Sequence, residues 1–200
     1  MSGAGAPGDP QPRDPQSGEQ RPASGAAGNV PALRGDRVTL RPVTAADAPA
    51  LLAILRDPGV SAWWRRATWD QICEEGATVY AIVVEGEIAG SIQFNEETDP
   101  DYRNAAIDIF VADAWQGRGV GPEAMRTLIG YLVDELGHHR LTVDPAAANE
   151  RAIHVYERLG FRLVGTMHAY EREPDGTWRD ALLMELIVPT SRSPRSAGSP

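Results

Sequence analysis

Apolar and polar residues alternate over residues 37–43, the period of a strand with one buried face. Thr44 then caps a helix, with Asp47 in its first turn, that runs to about Arg56 and stops at Asp57-Pro58-Gly59. A shorter helix fits residues 69–75. Residues 79–84 and 88–94 are apolar runs around Glu85-Gly86-Glu87, which predicts a hairpin, and 96–103 reads as a charged loop. Residues 105–111 form a further strand. Over 121–136 the period changes, and Met125, Leu128, Ile129, Leu132 and Leu136 share one helical face. A strand at 140–143 follows, then a helix over 150–159 closed by Gly160 as a left-handed cap. Strands at 161–166 and 181–188 finish the chain, with no internal repeat. Helices interleaved with a sheet that begins antiparallel imply an α/β domain, a mixed central sheet with helices on both faces.

Composition separates the ends from this pattern. Residues 1–29 are mostly Gly, Pro, Ala, Ser and Gln, and the last dozen are Ser, Pro, Arg and Gly. Such stretches bury too little apolar surface to offset the entropy of ordering. The expected layout is a disordered tail over 1–32, one domain over 33–188 and a second disordered tail over 189–200. The first tail has no apolar core and does not read as a signal peptide. No apolar run approaches the roughly 18 residues of a membrane-spanning helix. The chain therefore reads as soluble and cytoplasmic, a monomer or homodimer. The single cysteine, Cys73, excludes an internal disulfide and fits a small helix filler better than a nucleophile.

Charge changes the picture of what the domain can bind. All 19 basic residues are arginine, against 28 acidic residues. The tails hold Arg13, Arg21, Arg192 and Arg195 and only Asp9, Asp14 and Glu19, which leaves the folded part at 15 against 25. Six acids fall between Glu85 and Asp101 without one arginine. That field repels nucleic acid and anionic membranes and attracts cations, although an acidic surface also serves solubility alone.

The segment Gln116-Gly117-Arg118-Gly119-Val120-Gly121 lies between an apolar strand and the amphipathic helix. Its glycines let backbone approach a ligand, and N–H groups at a helix start make an anion site. Arg118 adds a cation. The loop lacks the Gly-Lys-Ser/Thr ending of a Walker loop, and its glycine spacing is not that of a dinucleotide fingerprint. Further on stands Asn149-Glu150-Arg151-Ala152-Ile153-His154-Val155-Tyr156-Glu157-Arg158-Leu159-Gly160-Phe161.

The two motifs, in this order, resemble the signature of the GNAT superfamily of N-acetyltransferases. The resemblance implies a single α/β domain whose sheet splays between the strands ending near Val111 and Val143, opening a coenzyme cleft. It implies acetyl-CoA as acetyl donor and no metal. The loop of Gln116, Gly117, Arg118, Gly119, Val120 and Gly121 would hold the pyrophosphate. The backbone of Ile109, Phe110 and Val111 would hold the pantetheine arm, with Asn149 bonding near it. Tyr156 would be the general acid; its alternative is a ring packed beside Phe161.

Further segments narrow the resemblance: 38–41, Trp63-Trp64, 96–100, Ile107-Asp108 and 142–145 look like aminoglycoside 6′-N-acetyltransferases. An aminoglycoside carries several ammonium groups, so its site needs carboxylates and an aromatic wall. Asp108 lies in the strand before the pyrophosphate loop and Asp144 follows the next strand, so both carboxylates can face the thioester across the cleft. By resemblance Asp108 is the base that draws a proton from the amine, and Asp144 binds substrate amines. Asp108 as an ion-paired strand residue and Asp144 as a turn residue before Pro145 are the structural alternatives. Either tryptophan suits a core as well as a stacking surface; Trp63 is assigned to the substrate, with Tyr80 a similar candidate. His138, His139 and His154 show no metal-ligand spacing.

The function expected is therefore direct acetyl transfer to an amine in a ternary complex, the acceptor being a cationic small molecule, with an aminoglycoside 6′-amine first. The rivals are an enzyme of the same superfamily acting on a protein N-terminus, a polyamine or a small metabolite, and a non-catalytic acyl-CoA-binding module.

Overall fold

The alternating segments become strands, and their pairing decides where the sheet opens. The computed structural model describes residues 30–64, 68–73, 75–173 and 175–189. The tails expected at 1–32 and 189–200 thus fall outside the described residues over 1–29 and 190–200. In chain order the elements are β1 (Leu33–Arg34), β2 (Val38–Pro42), α1 (Ala48–Ile54), α2 (Pro58–Ser61), α3 (Trp69–Ile72), β3 (Ala77–Val84), β4 (Glu87–Glu97) and β5 (Asn104–Val111). Then come α4 (Val120–Gly130), β6 (Arg140–Val143), α5 (Glu150–Arg158), β7 (Arg162–Arg172) and β8 (Trp178–Ile187). The described strands form one sheet in the order β1-β2-β3-β4-β5-β6-β8-β7. Only the short β1 lacked a signal in the sequence.

Cross-strand register assigns each residue to a face. Tyr80 pairs with Ile92 and Ile92 with Ile109, so all three share one face; Val79, Gln93 and Asp108 share the other. The first face packs Tyr80, Ile82, Ile92 and Ile107 against Val120, Ala124, Met125 and Leu128 of α4 and Tyr156 of α5. The second packs Val79 and Phe110 against Leu51, Ile54, Val60 and Ile72 of α1 to α3. Helices cover both faces, as the sequence pattern implied.

The β5–β6 pair is parallel, and its register spans only Ala105↔Leu141 and Ala106↔Thr142. Beyond it the strands part, and β5 runs on to Val111 with its β6-facing edge open. The remaining pairs are antiparallel.

Several boundaries moved for identifiable reasons. The helix expected to reach Arg56 ends at Ile54, and Asp57-Pro58-Gly59 begins a new turn rather than a gap. Pro58 occupies the first helical position, where a missing N–H costs nothing. The helix expected over 69–75 stops at Ile72 after a Thr68/Gln71 capping box. β4 runs through Glu96 and Glu97 because Ala105 and Asn104 pair with them, so the charged loop is shorter than expected. The Glu85-Gly86 turn has both residues at positive φ, the geometry of a two-residue hairpin. Past Gly130 the long helix widens into a π-helical turn at Tyr131–Glu135, where Leu136 N–H donates to Tyr131 O at 3.1 Å. β7 and β8 are longer than expected and pair out to Arg172↔Trp178.

One buried carboxylate fastens α4 to the start of the sheet. Glu123 Oε1 accepts from Arg37 N–H at 2.5 Å and Val38 N–H at 2.9 Å, and the Arg37 guanidinium bridges it at 3.1 Å. Burial alone would raise the Glu123 carboxyl, but these donors outweigh it and hold its pKa below the usual carboxylate value. Glu123→Ala orphans both amides and is expected to cost about 2–4 kcal/mol in urea unfolding. Because the folded pKa is depressed, this stabilisation is present above the ordinary Glu range, about pH 4.3, and fades as pH falls through the lower folded value. The gap between native and mutant midpoints should therefore narrow on acidification.

Candidate active site

The gap between β5 and β6 continues as a cleft of about 1040 Å³. It is lined by the free half of β5, the loop before α4, the segment after β6, one side of α5 and the β7–β8 hairpin. Typical ligand pockets run from about 300 to 1,000 Å³, so this one stands at the upper end of that range.

Strand alternation aims the backbone of β5. Ala112 N–H donates to Ala89 O at 2.8 Å, toward β4. With period two, the backbone groups of Phe110 also face β4, while those of Ile109 and Val111 face the open edge. Phe110 accordingly contributes its ring, tilted on Trp64 at 4.9 Å, and not the backbone donor expected of it.

Gly117 and Gly119 have φ of 74° and 82°, in the left-handed region that favours glycine. Gly119 is the N-cap of α4 and, having no side chain, leaves the first-turn amides uncapped toward the cleft. Gln116 does not reach outward. Its Nε2 donates to Val111 O at 2.9 Å and Asp113 Oδ1 at 3.1 Å, and its Oε1 accepts from Arg151 at 2.6 Å. It locks the loop to the end of β5. Arg118 lays its guanidinium over the Trp115 ring, 5.4 Å from the centroid, and Val120 is buried in the core. Two cations that the sequence reading passed over flank the glycines instead. Arg37 donates to Arg118 O at 3.1 Å, and Arg151 lines the cleft beside Gly117. Asn149 caps α5 by accepting from Ala152 N–H at 3.2 Å, which leaves its Nδ2 amide as the donor.

Asp108, Asp144, Tyr156 and Trp63 all line the other end of the cleft. Gln93 Nε2 donates to Asp108 Oδ2 at 3.3 Å from the neighbouring strand. Tyr156 is buried against Phe161, with ring centroids 5.9 Å apart. Burial pushes its phenol well above the ordinary tyrosine pKa, and the charges of Asp108 and Asp144 push it further, which puts all three groups within electrostatic reach. Trp63 is 38% exposed, and Arg179 stacks over it at 6.0 Å while donating to its carbonyl at 3.0 Å. Trp64 packs into the core of the α1–α3 face.

Tyr80 corrects the sequence reading. It is fully buried, and its register places it on the α4 face, opposite to Asp108. Its hydroxyl meets no partner among the described residues, and burial raises its pKa well above the usual value. Tyr170, with no signal in the sequence, lines the cleft together with Asp144. Gln93 did carry a signal, a lone amide inside an apolar run. Burial, with Asp70 nearby, raises the Cys73 thiol, which disfavours a reactive thiolate. Among the described residues no His, Cys, Asp or Glu cluster could hold a metal.

The Acetyltransferase (GNAT) domain family matches residues 37–162. The chain belongs to the GNAT acetyltransferase family. It is 32% identical to "Aminoglycoside N(6')-acetyltransferase type 1" of Klebsiella pneumoniae over 70% of this chain and 80% of that protein. It is 24% identical to "Spermidine N(1)-acetyltransferase" of Escherichia coli over 74% and 84% of the two chains. Among solved structures, Mycobacterium smegmatis RimJ in complex with CoA-disulfide superimposes with a TM-score of 0.68 at 27% identity, covering 78% of this chain and 86% of that one. As a GNAT N-acetyltransferase the protein takes its acetyl group from acetyl-CoA. The cleft fits such a donor: the glycines of the loop before α4 and the cation Arg151 line it, and beyond Ala106 the β6-facing edge of β5 has no strand partner among the described residues. No described helix is long and apolar enough to cross a membrane.

Proposed function

We propose that this GNAT enzyme acetylates an amine of a polycationic small molecule, with the 6′-amine of an aminoglycoside as the leading acceptor. One observation carries the reading. Two carboxylates, Asp108 and Asp144, line the same cleft as the buried Tyr156 and the exposed Trp63. Acidic groups beside an aromatic wall hold ammonium groups on a sugar scaffold. The similarity to the Klebsiella pneumoniae enzyme supports the same acceptor. The similarity to a spermidine acetyltransferase keeps a polyamine as the second reading, since spermidine is also a polycation.

Acetyl-CoA supplies a thioester carbonyl open to attack by an amine. In the proposed mechanism Asp144 holds an ammonium group and Asp108, fixed by Gln93, draws the proton from the attacking nitrogen directly or through water. A backbone N–H near Val111 donates to the carbonyl oxygen as charge gathers on it. As the new C–N bond forms and the C–S bond breaks, Tyr156 gives its phenolic proton to the departing sulfur. The ammonium proton ends on Asp108, the proton left on the new amide nitrogen restores the Tyr156 phenol, and no enzyme group is acylated.

Thiol release measured with kanamycin, spermidine and an N-terminal peptide tests the acceptor. Turnover of the peptide alone would sink the polycation reading. With kanamycin, Asp144→Asn should raise KM about 10- to 100-fold, the scale of losing a hydrogen bond to a charged group. Asp108→Asn should lower kcat about 10²-fold near neutral pH. That loss should shrink as pH rises, because more of the amine is already neutral; a loss independent of pH would remove Asp108 as the base.

A further inference from the structure

Opposite one residue of β8 the chain of β7 carries three. The ladder pairs Met167 with Ala181 and resumes at Glu171↔Arg179, so His168, Ala169 and Tyr170 stand against Asp180 alone. A bulge of this kind bends the strand and re-aims a side chain. Ala169 sits at φ 50°, a left-handed conformation that alanine adopts at a cost. What holds it there is Asp180: Oδ1 accepts from Ala169 N–H at 2.8 Å, and Oδ2 lies 2.9 Å from His168 Nδ1.

The same residue grips the segment after β6. Ala147 N–H donates to Asp180 O at 2.9 Å, Ala146 bridges to Ala181, and Leu182 N–H donates to Pro145 O at 2.9 Å. The bulge and the Asp144 turn are thus fastened to one stretch of β8, the three positions from Asp180 to Leu182. Tyr170 of the bulge and Asp144 of the turn line the same cleft. The charge of Asp144, with burial and then Asp108 and Glu171, pushes the Tyr170 phenol up to about 12, so it remains a donor. Below the bulge, Arg179 is paired with Glu171 and Glu173 and donates to the carbonyls of Ala62 and Trp63. The hairpin therefore also fixes the aromatic wall.

We propose that Asp180 is a positioning residue that, through the left-handed turn at Ala169, holds Tyr170 on Asp144, and that Tyr170 is a specificity-determining residue of the acceptor site. This rests on the reading that Asp144 binds an acceptor ammonium. Held there, Tyr170 bounds the place where an ammonium group would meet Asp144. The phenol oxygen adds an acceptor beside it, so two adjacent oxygens can receive N–H bonds from one ammonium group.

Tyr170→Phe and Asp180→Ala should each raise the acceptor KM about tenfold and leave the acetyl-CoA KM unchanged. A general loss of structure would move both constants and the melting temperature. In an Ala169→Gly background, where the left-handed turn no longer opposes the residue, the Asp180→Ala defect should shrink. An unchanged acceptor KM in either single variant overturns the proposal, as does a full defect in the glycine background. The acceptor is whichever of kanamycin or spermidine the native protein turns over, so failure with kanamycin alone rejects the aminoglycoside reading and not the hairpin's role. A readout free of any acceptor is the ¹³Cζ resonance of Tyr170, assigned by its loss in Tyr170→Phe. It should move the same way in Asp144→Asn and Asp180→Ala, and immobility in Asp180→Ala refutes the coupling.

Discussion

Replacing Gly119 by glutamate is expected to abolish measurable acetyl-CoA binding in a protein that still folds. Gly119 caps α4 at φ 82°, and a Cβ built there comes within 3.1 Å of the Arg37 guanidinium. A glutamate brings strain of about 1–2 kcal/mol from the left-handed backbone, too little to unfold a domain of ordinary stability. Its larger effect is on the ligand. A carboxylate about 4 Å from a phosphate charge repels it by about 4 kcal/mol at the effective dielectric of a protein surface. That is about three decades in affinity for each phosphate charge met, before bulk is counted. The carboxylate would also pair with Arg37 and neutralise one of the cations beside the loop. Calorimetry gives the affinity and circular dichroism the fold; Gly119→Ala, with strain and no charge, should lose far less. Native affinity in a folded glutamate variant would remove the pyrophosphate from this loop.

Tyr156→Phe should lower kcat by about 10²–10⁴ with acetyl-CoA affinity intact, if its phenol is the proton donor to the leaving sulfur. The ring keeps its packing on Phe161, so stability should change little. Burial, then Asp108 and Asp144, hold this phenol above the ordinary value of about 10. A raised pKa keeps an acid protonated to higher pH, so no alkaline loss of rate should be centred on the ordinary tyrosine value. The same coupling suggests how a weak acid becomes adequate. When Asp108 takes the amine's proton, one of the two charges that hold the phenol's proton disappears. Asp108→Asn should accordingly move any alkaline limb due to Tyr156 to lower pH. Near-native turnover of the phenylalanine variant would mean that water protonates the sulfur.

How far the sequence reached can be judged at particular residues. The period-two runs and the stripe of Met125, Leu128 and Leu132 were legible because burial of one face is written into spacing. The glycines of the loop before α4 and the cap at Asn149 were legible because left-handed backbone and helix starts restrict residue type locally. With the resemblance those motifs carry, they pointed to the family and the coenzyme. Tyr80 shows the limit: its place in an apolar strand said nothing about which face it takes. That face follows from register against β4 and β5, a long-range pairing. Arg37 and Arg151 look like ordinary surface charges until the fold brings them to the same loop. Tyr170 is the clearest case. It lines the cleft from the bulge opposite Asp180, and a bulge arises where two strands disagree in length, which neither strand records alone. Local chemistry determined the elements and the loop, and the resemblance its motifs carry pointed to the donor. Tertiary pairing decided which side chains line the cleft, because contacts between residues far apart in sequence exist only once the sheet has set its register.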